Sequence, residues 1–446
     1  MKKNILILGA GGVAHVAAHK AAMNNDVLGD ICIASRTVSK CDAIIESVRR
    51  KNHVKDPSRK LTSRQIDAMD IPAMVKLIRE TGSQIVINLA QPFVNLYVLE
   101  ACLATGAAYM DTAIHEEVDK VCEEPPWYAN YEWKHKDRCA AKGLTAILGV
   151  GFDPGVVNAY CALAAKRYFD KIDTIDILDV NIGRHGKYFA TNFDPEINFR
   201  EFIKAWVWID REWKVYPTHA IKRIYDFPVV GLQPVYLSGH DEIHSLAKNM
   251  DAESIRFWMG FGDHYINVFT VLRTLGLLSH LPVTLDDGRE VVPLKVVKAL
   301  LPDPMSLAPN YTGTTCIGNV ITGRKDGKPR EIFIYQVSDH KQSYEEVESQ
   351  AISYTAGVPP VAAAMLVAQG VWDAKTMVNV EELDPEPFIA LLDRIGLPTE
   401  IREIKPDSAL SFNGEIGDLH KEMAAATSTV TISAADPMVA VRGKRE

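Results

Sequence analysis

The chain has 446 residues, 47% hydrophobic and 24% charged, with a net charge of −8 from 49 Lys and Arg against 57 Asp and Glu. Its length allows roughly two or three domains with sizeable cores, and its ordinary composition excludes disordered, collagenous and disulfide-scaffold classes for the bulk. The acidic balance argues against a nucleic-acid partner and against a polybasic membrane anchor.

The run Ile5-Leu6-Ile7-Leu8 predicts a strand that stops at glycines, followed by an alanine-rich helix from Val13 to Met23. Strands follow at Asp30 to Ala34, at Arg64 to Asp67 (a weak one), at Gln84 to Leu89, at Ala108 to Asp111 and at Leu144 to Leu148. Helices at Ser39 to Lys51, Ile71 to Thr81 and Val94 to Thr105 separate them. Near-continuous apolar strands alternating with helices predict a parallel sheet covered on both faces. After about Asp153 the pattern changes. Strands are expected at Thr174 to Ile182, Ile221 to Val230, Thr315 to Thr322 and Arg330 to Val337, with helices at Ala252 to Gly260 and Val268 to Leu278 between them. Helical patterning returns from Pro359, at Val361 to Gln369 and Pro385 to Ile395.

The expected fold class is therefore α/β: an N-terminal Rossmann-type parallel sheet completed by C-terminal helices, with an inserted mixed α+β domain. The first domain takes residues 1–155 plus about 355–405, and the second takes 156–354. Residues 406–446, rich in Ala, Ser and Thr and without a clear period, read as a tail.

Gly9-Ala10-Gly11-Gly12-Val13-Ala14 is a G-x-G-x-x-A pattern in the strand–turn–helix setting that dinucleotide binding requires. Gly9 permits the tight turn, Gly11 lets the backbone approach a pyrophosphate, and Ala14 keeps the helix near the strand. The end of the second strand chooses the cofactor. An acid there would favour NAD, but Ser35-Arg36-Thr37 and Lys40 stand there instead. Arg36 can pair with a 2′-phosphate and Ser35 and Thr37 can donate to it, so NADPH is expected. Asp67, Ala68 and Asp70 follow the third strand, where Asp67 and Asp70 could meet the adenine edge or cap a helix. Asn88, Ala90, Gln91 and Pro92 follow the fourth, so they lie along the cofactor by position.

The pieces GAGGVA, ASRT, NLAQPF, YMDTA and LGVGFDPGVVN resemble the saccharopine dehydrogenase/reductase family in content and spacing over residues 1 to 160. SGHDEIHSL, FWMGFGDHY and YTAGVPPVAAAMLVAQG look like its polyamine-forming branch, and the likeness stops near Lys405. The resemblance implies a Rossmann domain completed by C-terminal helices and an inserted domain that supplies substrate contacts and a homodimer interface. It implies that putrescine or 1,3-diaminopropane condenses with aspartate β-semialdehyde. NADPH would then reduce the imine to carboxyspermidine or carboxynorspermidine. The rivals are a saccharopine-forming reductase of lysine metabolism and a non-catalytic NADP-binding regulator.

The matching motifs place cofactor contacts at Gln91, Asp111, Thr112 and the segment Gly151-Phe152-Asp153-Pro154. Asp153 could bind an ammonium or cap the next helix. The richest titratable cluster is His240-Asp241-Glu242-Ile243-His244. It is not the zincin motif, because no glutamate follows the first histidine directly and no third ligand is apparent, so no metal is expected. Asp241 or Glu242 could meet a substrate ammonium, or the cluster could be structural. Asp153, His240 and His244 are the catalytic candidates. Asp263 and His264 are further substrate candidates, although their aromatic surroundings suit a core. Trp206, Trp208 and Trp213 suit packing better than a wall for an aliphatic amine. Arg200, Arg211 and Arg223 are alternative candidate carboxylate clamps.

None of the seven cysteines forms a Cys-x-x-Cys pair, and the odd count fits a reducing compartment. The apolar runs at Ile5 to Leu8 and Val361 to Ala368 are too short for a signal peptide or a bilayer span, so a cytoplasmic protein is expected.

Overall fold

The computed structural model describes residues 2–118, 120, 123–201, 204–405 and 412. The expected tail, apart from Phe412, lies outside them.

In chain order the first strands are β1 (Asn4–Leu8), β2 (Ile31–Ser35), β3 (Leu61–Gln65), β4 (Ser83–Asn88), β5 (Ala108–Met110) and β6 (Ala146–Leu148). Next come β7 (Lys171–Asn181), β8 (Lys204–Ile209), β9 (Glu212–Pro217), β10 (Lys222–Phe227), β11 (Gly231–Ser238) and β12 (Ser254–Gly260). The last are β13 (Val283–Thr284), β14 (Glu290–Val291), β15 (Thr314–Lys325), β16 (Lys328–Asp339), β17 (Met377–Asn379) and β18 (Glu400–Ile404).

A parallel sheet has the order β17-β6-β5-β4-β1-β2-β3. Ile5, Leu6 and Ile7 of β1 have no exposed surface, as a strand covered on both faces requires. The winding reverses at β1, between β2 and β4, so a crevice opens at the carboxyl ends of those strands. The helix Ala351–Gln369 packs against the helix Gly12–Met23 beside that crevice. Its apolar character serves this burial. It begins ten residues before the expected Val361 and keeps Pro359 and Pro360 inside it. A Cβ at Gly357 would stand 2.7 Å from the Val13 carbonyl oxygen and from Val16 Cβ, so only glycine lets the two helices approach this closely. Gly357→Val is expected to cost about 1–3 kcal/mol by overpacking, read as a lower thermal midpoint in calorimetry; an unchanged midpoint would refute the close approach.

The second sheet is mixed, in the order β10-β11-β12-β7-β15-β16-β18, with β8 paired to β12 and β9. Only β12 and β7 run parallel within it. Two expectations are corrected here and one missed strand is added. Ala252 to Gly260, expected as a helix, forms strand β12, in which Arg256 is buried by a two-pronged pair with Asp176 of β7 at 2.6 and 2.5 Å. The arginine broke the apolar pattern, but its charge is neutralised inside the sheet. Residues 231–238 form β11, which the sequence reading missed. Lastly, β18 joins β16 rather than the parallel sheet, so the C-terminal return does not belong wholly to the first domain. The tryptophan segment folds as the β8–β9 hairpin, with Asp210 and Arg211 at positive φ in its two-residue turn.

Candidate active site

Gly9 has φ +110°, and a Cβ there would stand 2.6 Å from the Leu89 carbonyl oxygen, so the turn after β1 crosses tightly over the end of β4. Gly11 caps the helix Gly12–Met23, no side chain bonds that N-terminus, and the space at Gly11 is open. Free N–H groups and the positive end of the helix therefore face the crevice, a fit for a pyrophosphate. Val13 and Ala14 continue that helix. At the end of β2, Ser35 Oγ accepts the Thr37 N–H at 3.2 Å, while Arg36 and Lys40 stand exposed. Gln65 holds the Arg36 carbonyl at 3.1 Å. Asp70 is the N-cap of the helix Ile71–Thr81, and Asp67 accepts the Met69 N–H at 3.0 Å beside half-buried Ala68.

Asn88 is buried, donates to Asn95 Oδ1 at 2.8 Å and accepts the Ala90 N–H at 3.2 Å, so it shapes the loop after β4. Buried Pro92 continues that loop. The Gln91 amide donates to Asp194 Oδ2 at 3.1 Å, and Lys298 holds the other oxygen of Asp194 at 2.9 Å. Asp111 is buried after β5. Its carboxylate accepts the Gly149 N–H at 2.7 Å, and burial pushes it up to about 7. Gly151 lies against Thr112, and a bridge between Gly151 and Gly155 closes a tight loop around Phe152, Asp153 and Pro154. Gly155 caps the helix Val156–Leu163 and donates its N–H to Asn158 Oδ1 at 2.9 Å. Asp153 is therefore not the cap, and its carboxylate is left to face the second sheet.

There it meets an acidic chamber. His240, at the end of β11, stacks on Phe257 at 4.2 Å and bonds Glu242 Oε2 through Nδ1 at 2.5 Å. Burial alone would lower its pKa, but Glu242, Asp153 and Glu201 raise it well above the ordinary range. Burial pushes Asp179, at the end of β7, up to about 7, and Glu201, after the helix Pro195–Arg200, up to about 8. Burial also holds Asp153 well above the usual carboxylate range, with Asp179 adding to it. Asp241 accepts the Ile114 N–H at 2.7 Å and is likewise pushed up to about 7 by burial. Asp179 Oδ1, Glu201 Oε2 and Glu242 Oε1 are buried without a hydrogen-bond partner among the described residues.

The structure thus brings together Asp153, His240, Asp241 and Glu242, and it adds Asp179 and Glu201. It separates the other candidates. His244 lies between Trp127 and Trp213, at 4.2 and 5.0 Å, and accepts the Trp127 N–H at 3.1 Å. Burial lowers it to about 3, which favours the neutral ring. Arg200 spends its donors on Glu116 at 2.5 Å and on the carbonyls of Glu117 and Val118 at 2.7 and 3.1 Å, so it fastens a loop. Arg211 pairs with Asp251 at 2.7 Å in the exposed hairpin turn, and Arg223 stacks over Trp258 and Phe412. Asp263 pairs with Lys222 at 2.8 Å on the surface. His264 bonds the Tyr188 carbonyl at 2.8 Å and lines a cavity of about 230 Å³ formed with residues 183–190. Trp206 and Trp208 pack in the second sheet and Trp213 stacks on His244, as the packing reading expected.

A glycine turn opening onto a helix N-terminus, basic residues after β2 and a titratable chamber beyond β5 and β6 define a Rossmann-type oxidoreductase. Residues 5–147 match the family model described as saccharopine dehydrogenase NADP binding domain, and residues 151–397 match the saccharopine dehydrogenase C-terminal domain. The chain belongs to the saccharopine dehydrogenase family and is an NADP-dependent oxidoreductase. It is 50% identical over 403 residues to a carboxynorspermidine synthase of Vibrio alginolyticus, covering 90% of this chain and 97% of the relative. A second carboxynorspermidine synthase, of Vibrio cholerae, is 49% identical over 404 residues, covering 90% of this chain and 98% of the relative. A carboxyaminopropylagmatine dehydrogenase of Synechocystis is 42% identical over 396 residues, covering 88% and 96%. Among solved structures, the L-Glu-forming saccharopine dehydrogenase of Saccharomyces cerevisiae superimposes with a TM-score of 0.66 at 13% identity, covering 90% of this chain and 100% of that one, a likeness of fold alone.

Proposed function

We propose that the chain couples a diamine reductively to an amino-acid semialdehyde. Aspartate β-semialdehyde would condense with putrescine or 1,3-diaminopropane to give carboxyspermidine or carboxynorspermidine. The observation that carries this reading is the acidic chamber of Asp153, Asp179, Glu201, Asp241 and Glu242 beside the loop Gly151–Gly155. Such a chamber suits a cationic amine. A saccharopine-type substrate, with its additional carboxylates, would call for clustered Arg or Lys instead. The names of the Vibrio relatives support the same reading.

In this reading the helix N-terminus at Gly11 and Gly12 holds the cofactor pyrophosphate, and Ser35, Arg36, Thr37 and Lys40 hold its 2′-phosphate. Asn88, Ala90 and Gln91 line it towards the loop Gly151–Pro154. NADPH, when bound, supplies hydride for the imine carbon. Asp241, with a value near 7, can exchange the protons that imine formation requires. The cofactor domain takes residues 1–155 plus about 355–399, and the substrate domain takes 156–354 with β18. A cytoplasmic homodimer completes the reading, and Ile224, Val229 and Leu232 stand exposed on the β10–β11 edge hairpin for such a partner.

The test follows NADPH oxidation at 340 nm with aspartate β-semialdehyde and each diamine, then without amine. Amine-dependent oxidation supports the reading. Oxidation only with aminoadipate semialdehyde and glutamate would replace it with the saccharopine-forming reaction, and binding without oxidation would replace it with a regulator. Arg36→Glu is expected to raise the KM for NADPH by about 30-fold or more, since the loss of a charge-assisted pair is joined by repulsion. The KM for NADH should stay level or fall, because an acid there can accept from the free ribose hydroxyl, and equal rises for both cofactors would exclude the 2′-phosphate role.

A further inference from the structure

We infer that Asp179, Glu201 and Glu242 form a three-oxygen seat for the far primary ammonium of the amine substrate. The inference rests on the proposed reaction and names what the sequence reading did not, a recognition site supplied mainly by the second sheet and its helices. Three oxygens carry it: Asp179 Oδ1, Glu201 Oε2 and Glu242 Oε1. Each is buried, and none has a hydrogen-bond partner among the described residues. Glu242 has no exposed surface at all, and its other oxygen is already engaged by His240. A buried acceptor left without a donor is costly, so unpaired carboxylate oxygens call for a ligand that donates.

The three come from separate elements, the end of β7, the end of the helix Pro195–Arg200 and the first turn of the helix Asp241–Asn249. They nonetheless act on one another. Asp179 is raised by Glu242, Glu201 is raised by Asp179, and both are lowered by His240. The chamber thus surrounds one imidazole. His240 neutralises Glu242 and leaves the remaining negative charge to a guest.

The guest's shape follows from the donor count. A primary ammonium has three N–H donors around a point charge, one for each free oxygen. A guanidinium has five donors in one plane and suits a two-oxygen fork on a single carboxylate. Three oxygens on three separate side chains match the first and not the second. The seat therefore selects an unbranched diamine over a guanidino amine or a monoamine. The other amine of the diamine is left free to lose its proton and attack the aldehyde.

Amine kinetics of the wild-type holoenzyme with putrescine, n-butylamine and agmatine test this directly. The seat requires a KM for butylamine and for agmatine about 30-fold or more above that for putrescine; equal KM values would overturn it. Asp179→Asn and Glu201→Gln should raise the KM for putrescine by a similar factor while leaving those for NADPH and the aldehyde in place. A rise shared by all three substrates would overturn the seat in favour of a structural role. Should wild-type protein oxidise no NADPH with any amine, the proposed reaction falls. Calorimetric titration of putrescine into the NADP⁺-loaded chain then decides the seat by itself. Binding that exceeds butylamine binding upholds it, and the absence of binding overturns it.

Discussion

Gly155→Ala is expected to lower turnover by about 100-fold or more. Gly155 has φ +138°, a conformation that side-chain-bearing residues rarely adopt, and an added Cβ would overlap the Gly151 carbonyl across the bridge that closes the loop. The overlapped atom is backbone, so no side chain can rotate out of the way. The loop itself must move, and it carries Asp153, which faces the acids of the chamber. A displacement of about 1 Å at a reacting centre is worth about two orders of magnitude in rate. Gly143→Ala provides the contrast. Gly143 also has positive φ, +60°, but it only ends the helix Lys136–Lys142, and a Cβ there meets nothing within 4 Å. It should cost about 1 kcal/mol of stability and leave turnover intact. Steady-state kinetics of both variants, with fluorescence titration of NADPH, check the pair. Turnover in Gly155→Ala within a few-fold of wild type would show that the loop does not set the reacting geometry.

The parallel sheet was legible because its strands are nearly continuous runs such as Ile5 to Leu8, which only a doubly covered sheet can bury. The glycine turn was legible because its residues are contiguous and each has a separate steric task. The second sheet was less so. Arg256 gave β12 the look of a polar helix, and only its partner Asp176, on a strand eighty positions away, explains why an arginine lies in a core. The chamber was half legible. His240, Asp241 and Glu242 adjoin one another in sequence and drew attention as a cluster. Asp179 is one of three aspartates spaced along the strand KIDTIDILDVN and Glu201 follows a short helix, so neither carried a local signal of function. His244 shows what spacing leaves out: it shares the cluster with His240 in sequence, whereas in the fold it stacks between Trp127 and Trp213.

The ligand-free chain should lose stability as pH rises from 6.5 to 8.5, and putrescine should restore more of it at the upper end. Asp179, Glu201 and Asp241 stand at about 7, 8 and 7 in the folded chain, against about 4 for unfolded carboxyl groups. Folding raises these values, so each group supports the fold below pH of about 4 and loses that support as pH rises through its folded value. His240, raised by Glu242, has the same sign. The buried neutral histidines have the opposite sign. His19 and His244, lowered to about 2 and 3 by burial, favour the unfolded chain only where an unfolded imidazole takes a proton, below a pH of about 6.5. Above that value they are neutral in both states, and the raised groups set the slope: the chamber acids and His240, joined by buried Asp111 and Glu132. A diamine is a dication across this range, so it finds a more fully ionised chamber at pH 8.5 than at 6.5. Thermal midpoints measured at both pH values, with and without saturating putrescine, should therefore show a larger putrescine-induced rise at pH 8.5. Equal rises, or a midpoint of the free chain that does not fall, would mean that the chamber carboxylates are already ionised without a guest. Their burial would then be compensated by something other than the amine.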